Sequence, residues 1–274
     1  MRNAWFALAL AGTLLPAHAQ WLQRDPRTPR ARDGKPILTA PAPRVNGKPD
    51  FSGVWESTRP TLAALRSFSG EADPLRVQID QFDVGDIKRN VFLGMKRDDE
   101  PLTQAGLAVL SKRAPEHPPQ VHCLPQGVPG VMMVYAFKIV QTPRELIVIG
   151  ESPDPPRQIY IDGRGLPKDP DPTWMGYSAG KWEGDTLVVQ TTGFKEESWI
   201  DNVGHPRSEK MLITERFHRR DFGHMDVEMT FDDSVYYTRP FTVKIPMRLI
   251  PDSSDVLESV CADNEKDSDH IPPR

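Results

Sequence analysis

The sequence predicts a mainly β protein, in which an antiparallel meander closes as a barrel and short helices occupy the N-terminal third. Runs of alternating apolar and polar residues dominate the chain after residue 130. Turn residues such as Pro, Gly and Asp separate these runs. Helical patterns do not come between consecutive runs, so neighbouring strands are expected to join as hairpins, which favours a barrel over a parallel sheet.

The first element is a predicted secretory signal peptide at residues 1–19. Arg2 precedes an apolar stretch at residues 5–15, and Ala17-His18-Ala19 fits a small-residue cleavage site. The stretch is too short for a membrane span, and later stretches are not apolar enough to form one. We therefore expect a periplasmic or secreted protein without an integral membrane segment.

Next comes an arm rich in proline and arginine, at residues 20–48, which we expect to be either a strap on the domain or disordered. The barrel domain is predicted at residues 49–264 and a C-terminal tail at residues 265–274. A helical insertion near residues 60–115 contains a helix over Leu102 to Arg113 and a shorter one over Thr61 to Phe68.

Strands follow the insertion, and their alternating residues define one buried face. The predicted strands are 131–141, 145–150, 157–162, 176–182, 185–192, 210–219, 223–231, 239–249 and 255–261. Two connections, Gly163 to Gly176 and Gly193 to Glu209, are longer than hairpin turns. Loops of this length between strands are more often functional than short turns are.

An acidic residue interrupts the buried face of the strand at 210–219. Met211, Ile213 and Phe217 share one side of this strand with Glu215. A carboxylate on an apolar face is costly unless it is paired, protonated or used. Glu215 is therefore either a general acid or base, an anchor for a ligand, or a structural group that closes the barrel through an internal salt bridge with an arginine or a hydrogen bond with a Tyr or Trp.

Six further residues, in or next to the two long connections, are candidates for a functional site. Asp201 and His205 are spaced so that the aspartate can orient the imidazole, which with Glu215 would make an acid–base set. The alternative is a loop histidine in a turn shaped by Pro206. Residues that could line the mouth of a cavity, or otherwise simply pack under the loops, are Trp174, Tyr177 and Trp199, and Arg164 could reach an anionic ligand.

The chain's two cysteines, Cys123 and Cys261, are expected to form a disulfide in an oxidising compartment. Two buried free thiols are the alternative. The histidines have no metal-ligand spacing, so neither a metal nor another cofactor is predicted. With 34 Lys and Arg against 38 Asp and Glu, the net charge is −4, which gives no electrostatic reason to expect nucleic acid as a partner.

Several short motifs resemble those of known protein families. Gly53-Val54-Trp55 resembles the Gly-x-Trp entry strand of lipocalin-like proteins. More specific are the segments 168–178, 180–189, Gly204-His205-Pro206 and Thr214 to Phe217 followed by 221–224. Together they are similar to a widespread, functionally uncharacterised family of secreted bacterial proteins. The resemblance covers about Cys123 to Asn264 and implies a lipocalin-like, or calycin-like, β-barrel, but it brings no catalytic residues with it.

Three functions are compatible with this sequence. The first is an exported barrel that binds a small, largely apolar or aromatic molecule in its interior. The second is a cofactor-independent lyase, isomerase or hydrolase that uses Glu215, His205 and Asp201. The third is a structural or interaction protein of the cell envelope that acts through its arm.

Overall fold

The structure, a computed structural model, describes residues 25–58, 90–92, 95–114, 116–133, 135–252 and 255–261. The predicted signal peptide, the predicted helix at 61–68 and the predicted tail lie outside the described residues. In chain order, the strands are β1 Arg44–Val45, β2 Lys48–Pro49, β3 Gly53–Ser57, β4 Phe137–Gln141, β5 Glu145–Gly150, β6 Arg157–Tyr160, β7 Tyr177–Glu183, β8 Thr186–Thr192, β9 Leu212–Arg219, β10 His224–Asp232 and β11 Phe241–Leu249.

Helical elements of the described chain are short. Helix α1 spans Gln104–Arg113, and 3-10 turns cover Arg97–Asp99, Pro119–His122 and Gly130–Met132. Helix α1 begins two residues later than expected because Thr103 caps it, its side chain accepting a hydrogen bond from the Gly106 amide at 3.1 Å. The 3-10 turn at Gly130–Met132 also shortens the predicted strand 131–141 to Phe137–Gln141.

Nine of the described strands form a closed barrel in the order β10-β11-β3-β4-β5-β6-β7-β8-β9. Strand directions can alternate around a closed ring only if the number of strands is even, so nine strands require at least one parallel pair. That pair is β6 with β7, matched at Ile159 with Ser178 and at Tyr160 with Ala179. The expected barrel is confirmed, whereas the expected antiparallel meander is not, because the sheet is mixed.

The inward face agrees with the alternation in the sequence. The predicted inward residues of β8 to β11 are buried: Leu187, Val189, Thr191, Met211, Ile213, Glu215, Phe217, Met225, Val227, Met229, Phe231, Phe241, Val243, Ile245 and Met247. Their burial against one another makes the barrel interior the hydrophobic core. Burial of apolar area of this kind is the main stabilising term in folding.

The two ends of the barrel are covered by different parts of the chain. At one end, here called the loop-rich end, lie α1, the 3-10 turns, the β8–β9 connection and the β10–β11 connection. At the other, here called the arm end, lie the β4–β5, β7–β8 and β9–β10 turns. The crossover at 161–176 runs from the arm end to the loop-rich end, as a parallel β6–β7 pair requires.

In its described part, residues 25–48, the arm is a strap over the arm end. The Leu38 and Ala40 carbonyl oxygens accept hydrogen bonds from the amides of Gly223 and Phe222, both at 2.7 Å. Arg44 forms an ion pair with Asp185 at 2.7 Å in the β7–β8 turn. Because these contacts join the arm to two separate turns, the strap holds neighbouring hairpins together at this end.

The predicted disulfide between Cys123 and Cys261 is confirmed; the two residues are 138 positions apart. The predicted strand at 255–261 is wrong, because this segment has no strand pairing. The Leu257 amide instead donates to the Glu151 carboxylate at 3.0 Å. The segment thus carries the chain from the arm end, where β11 stops, to the loop-rich end, where the disulfide fixes it beside the 3-10 turn Pro119–His122.

Gly176, at the entry to β7, gives the first testable prediction. Its φ is +65°, and a Cβ placed there would lie 2.7 Å from the Thr192 carbonyl oxygen. Gly176→Ala is therefore expected to lower the free energy of unfolding for two reasons. Alanine disfavours a positive φ, which costs about 1–2 kcal/mol, and its Cβ would prevent the close approach of β7 and β8. Urea denaturation measures the loss.

Gly184→Ala is the matched control for this substitution. Gly184 has a φ of +62° but nothing within 4 Å of its added Cβ. The difference between the two variants therefore separates the close contacts of the added Cβ, with Thr192, Phe194 and Thr191, from the backbone preference. Equal losses in both variants would contradict a role for these contacts.

Candidate functional site

Glu215 is fully buried in the barrel and forms an ion pair with Arg157, whose side chain is 1% exposed. Arg157 Nη1 donates to Glu215 Oε1 at 2.9 Å, and Arg157 Nη2 donates to the other carboxylate oxygen. The same guanidinium donates to Thr191 Oγ1 at 3.0 Å and to Ser178 Oγ at 3.2 Å. These four side chains come from β6, β7, β8 and β9. Together they form a buried polar cluster that spans the parallel β6–β7 pair.

Of the interpretations available for Glu215, the structure selects the internal salt bridge. Its two oxygens accept hydrogen bonds from one guanidinium, a bidentate arrangement that fixes the orientation of the carboxylate. The sequence carried a signal for this partner that was missed. Arg157 precedes Ile159 by two residues in β6, so the alternation that placed Glu215 inward also places Arg157 inward.

Asp201 and His205 do lie in contact, but in a second buried cluster. His205 Nδ1 is 2.6 Å from Asp201 Oδ2, and His205 Nε2 is 3.1 Å from Glu100 Oε2. The other oxygen of Asp201 accepts hydrogen bonds from the backbone amides of Val203, Gly204 and His205. Glu100, which lies 105 residues from His205 in the chain, could not be assigned to this cluster from the sequence.

The electrostatic environment of His205 favours the charged imidazolium. Burial by itself lowers the pKa of His205, but the adjacent carboxylates of Asp201 and Glu100 outweigh this and raise it from its ordinary value of 6.5 to about 9. His205 and both carboxylates are almost completely buried. The cluster therefore links Glu100 to the β8–β9 connection through buried charged groups.

This environment predicts a pH dependence of stability. A group whose folded pKa is raised stabilises the fold below its unfolded pKa, here 6.5, and that contribution is lost as pH rises through about 9. We expect the free energy of unfolding to fall by on the order of 3 kcal/mol across this range because of His205.

Urea denaturation between pH 6 and pH 9.5 tests this dependence with two variants. His205→Gln should remove most of the slope. His218→Gln should retain it, because His218 is exposed on the outer side of β9. A His205→Gln protein with the wild-type slope would show that His205 does not titrate as described.

The three predicted catalytic residues therefore do not form one set. Glu215 hydrogen bonds to Arg157 on β6, whereas His205 hydrogen bonds to Asp201 and Glu100. An acid–base mechanism needs its groups within hydrogen-bond reach of one reacting molecule. Their separate, fully occupied pairings favour structural roles for both clusters.

An open groove of about 1060 Å³ lies at the loop-rich end. Its walls are the last turn of α1, with Val109 and Arg113, the turn at 116–122, and the connection at 195–199, with Tyr236 contributing from the β10–β11 connection. The Arg113 guanidinium lies 5.3 Å from the centre of the Trp199 ring, within cation–π range. The groove lining therefore combines the aromatic side chains of Trp199 and Tyr236 with charges of both signs, those of Lys112, Arg113 and Lys195 and those of Glu116, Glu196, Glu197 and Glu209.

The structure distributes the predicted ligand-binding residues over the molecule. Trp199 lines the groove, and Trp174 lies beside it, with Lys195 Nζ 5.9 Å from the Trp174 ring centre. Tyr177 stands on the exposed side of β7. Arg164 lies beyond the C-terminus of β6, towards the arm end, where it pairs with Asp162 and stacks on Tyr160 at 3.7 Å. Tyr177 and Arg164 thus lie outside the groove.

The residues that the structure describes contain neither a metal-binding cluster nor a membrane-spanning helix. No group of three or more His, Cys, Asp or Glu side chains there is arranged to hold a metal ion. None of the described helices has the length and apolar character needed to cross a membrane.

Comparison with known proteins does not add an identity to this geometry. The chain matches no protein-family model, no curated protein and no solved structure. The function is therefore inferred from the site itself.

Proposed function

We propose that the protein is an exported binding protein for a small molecule with an aromatic or apolar part, held in the groove at the loop-rich end of a lipocalin-like barrel. This differs from the interior site expected from the sequence. The inward side chains are buried against one another, and the inward carboxylate already has an arginine partner. Both observations favour a site outside the barrel interior.

The observation that carries the proposal is the position of Trp199 in the groove. Binding pockets for small molecules typically have volumes of roughly 300–1000 Å³ and combine aromatic surface with a few polar groups. The groove has a volume of about 1060 Å³ and presents Trp199, Tyr236 and Arg113 together. The wall at 116–122 is also held in place. Gln120 Nε2 donates to Asn202 Oδ1 at 2.7 Å, and the disulfide fixes Cys123, the residue after this wall.

A fluorescence titration with N-phenyl-1-naphthylamine, an uncharged aromatic probe, and with 8-anilinonaphthalene-1-sulfonate tests the proposal. Saturable binding of at least one probe to the wild type is expected. Val109→Trp should weaken it by about tenfold or more, because Val109 lines the groove and a bulky ring there fills it.

Ala108→Trp is the matched control for this titration. It adds the same side chain one position earlier on α1, where Ala108 is exposed and does not line the groove. Binding should then remain close to that of the wild type. If neither probe binds saturably, or if both tryptophan variants bind like the wild type, the groove is not the site.

A further inference from the structure

Arg207 is fully buried, and only part of its guanidinium is hydrogen-bonded by the described residues. Its Nη2 donates to the Trp199 carbonyl oxygen at 2.7 Å, and its guanidinium lies 4.8 Å from the centre of the Phe194 ring. Among the residues that the structure describes, its buried Nε and Nη1 have no hydrogen-bond partner. A buried guanidinium left in this state is costly, and such groups are normally met by water, an ion or a ligand.

The nearest carboxylates are committed to other donors. Asp201 and Asp233 both attract Arg207 electrostatically. Asp233, however, accepts hydrogen bonds from the Ser208 amide at 2.7 Å and the Ser208 hydroxyl at 2.9 Å. Asp201 is occupied by His205 and by backbone amides. Burial lowers the pKa of Arg207 to about 9, so it remains charged at neutral pH.

A second guanidinium, that of Arg113, lies against the ring of Trp199. Arg113 stacks on the Trp199 ring and donates to the carbonyl oxygens of Glu196, at 2.8 Å, and Gly204, at 3.3 Å. Arg113 and Arg207 are close enough to repel each other. Within the described ranges, neither guanidinium forms an ion pair with a carboxylate. The Trp199 end of the groove thus has two positive charges without a direct counter-charge.

We infer that the groove selects ligands that carry an anionic group, such as a carboxylate or sulfonate, and that this group binds at the Trp199 end. Arg113, which lines the groove, contacts it directly, and Arg207, which donates to the Trp199 carbonyl oxygen from the interior, stabilises it through its charge. The aromatic part of the ligand then lies along the groove. This inference rests on the proposed function and specifies the ligand class of the same site.

Carboxylates on the groove lining offset the charge of Arg113 only in part: Glu116 and Glu196 attract it electrostatically, but among the described residues they form no ion pair with it. The lining glutamates, Glu116, Glu196, Glu197 and Glu209, are exposed. Water and salt screen exposed charges strongly, whereas buried charges act through a lower effective dielectric. Arg113 is partly buried, and Lys112 and Lys195 also line the groove, so an anionic group there meets three cationic side chains in addition to the buried charge of Arg207.

The two naphthalene probes test this inference, because they share an aromatic skeleton and differ in the sulfonate. We expect the wild type to bind 8-anilinonaphthalene-1-sulfonate about tenfold or more tightly than N-phenyl-1-naphthylamine, as a charge-assisted contact implies. Arg113→Gln should remove most of this preference while leaving the uncharged probe bound. Arg216→Gln, which removes an exposed charge from the outer side of β9, should keep the preference.

Arg207→Met provides a second, independent variant. It replaces the buried guanidinium with an apolar chain, so the protein should fold with at least wild-type thermal stability and should lose much of the preference for the sulfonate. A wild type that binds both probes equally would overturn the inference while the proposed function stands, as would a preference unchanged in both arginine variants. Absence of saturable binding of both probes would overturn the proposed function itself.

Discussion

Replacement of Glu215 by glutamine is expected to lower the free energy of unfolding by about 3–5 kcal/mol, because it leaves the buried Arg157 guanidinium without its carboxylate. Both side chains are at most 1% exposed, so water cannot replace the lost partner. The substitution also weakens the hydrogen-bonded link between β6 and β9, which spans the short parallel β6–β7 pair. Urea denaturation at pH 7, read from both the midpoint and the slope, measures it.

Two further variants make this result specific. Glu228→Gln removes a carboxylate that pairs with Lys244 at 3.0 Å on the exposed side of β10, and it should cost about 1 kcal/mol or less. Arg157→Met combined with Glu215→Leu removes both charges, and it should recover most of the lost stability. A Glu215→Gln protein that loses no more than Glu228→Gln would argue against a tightly held ion pair.

Removal of the disulfide is the second large effect. Cys123→Ser combined with Cys261→Ser opens a loop of 138 residues and is expected to lower the free energy of unfolding by about 4–5 kcal/mol, because the unfolded chain gains conformational entropy. The same change frees the 255–261 segment from the groove wall at 116–122. Denaturant unfolding gives the global loss.

Amide hydrogen exchange of the native state gives the local effect of the same variant. Exchange should accelerate most at residues 116–122 and 255–261, where the disulfide is the covalent link. Reduction of the wild type should reproduce both changes, whereas the double variant should not respond to reductant. Unchanged stability in the double variant would show that other contacts already hold these segments.

Alternation of side chains predicted the barrel wall because inward and outward positions are set by strand geometry alone. The pattern around Glu215 and Phe217 needed no knowledge of neighbouring strands. The parallel pair was missed because the 163–176 segment looked like an insertion within a hairpin. Strand number held the clue, since an odd count cannot alternate around a ring. The Gly53-Val54-Trp55 entry strand and the wrongly assigned strand at 255–261 together brought the predicted count to an even ten.

The site was less predictable because its residues come from distant parts of the chain. Asp201 and His205 were paired correctly, since a spacing of four residues places them in one turn of a loop. Glu100 and Arg113 approach the same region only through the tertiary fold. The burial of Arg207 gave no local signal either, because it follows Pro206 in a connection without alternation.

The parallel pair also divides the barrel into two ribbons that are each continuous in sequence order, β3–β6 and β7–β11. The second ribbon consists of consecutive hairpins, whose contacts are local and form quickly. The first ribbon meets it through two matched residue pairs between β6 and β7 and three between β3 and β11. Folding is therefore expected to proceed as the assembly of two preformed sheets, with ring closure, and the burial of the Arg157–Glu215 pair between them, as the late step.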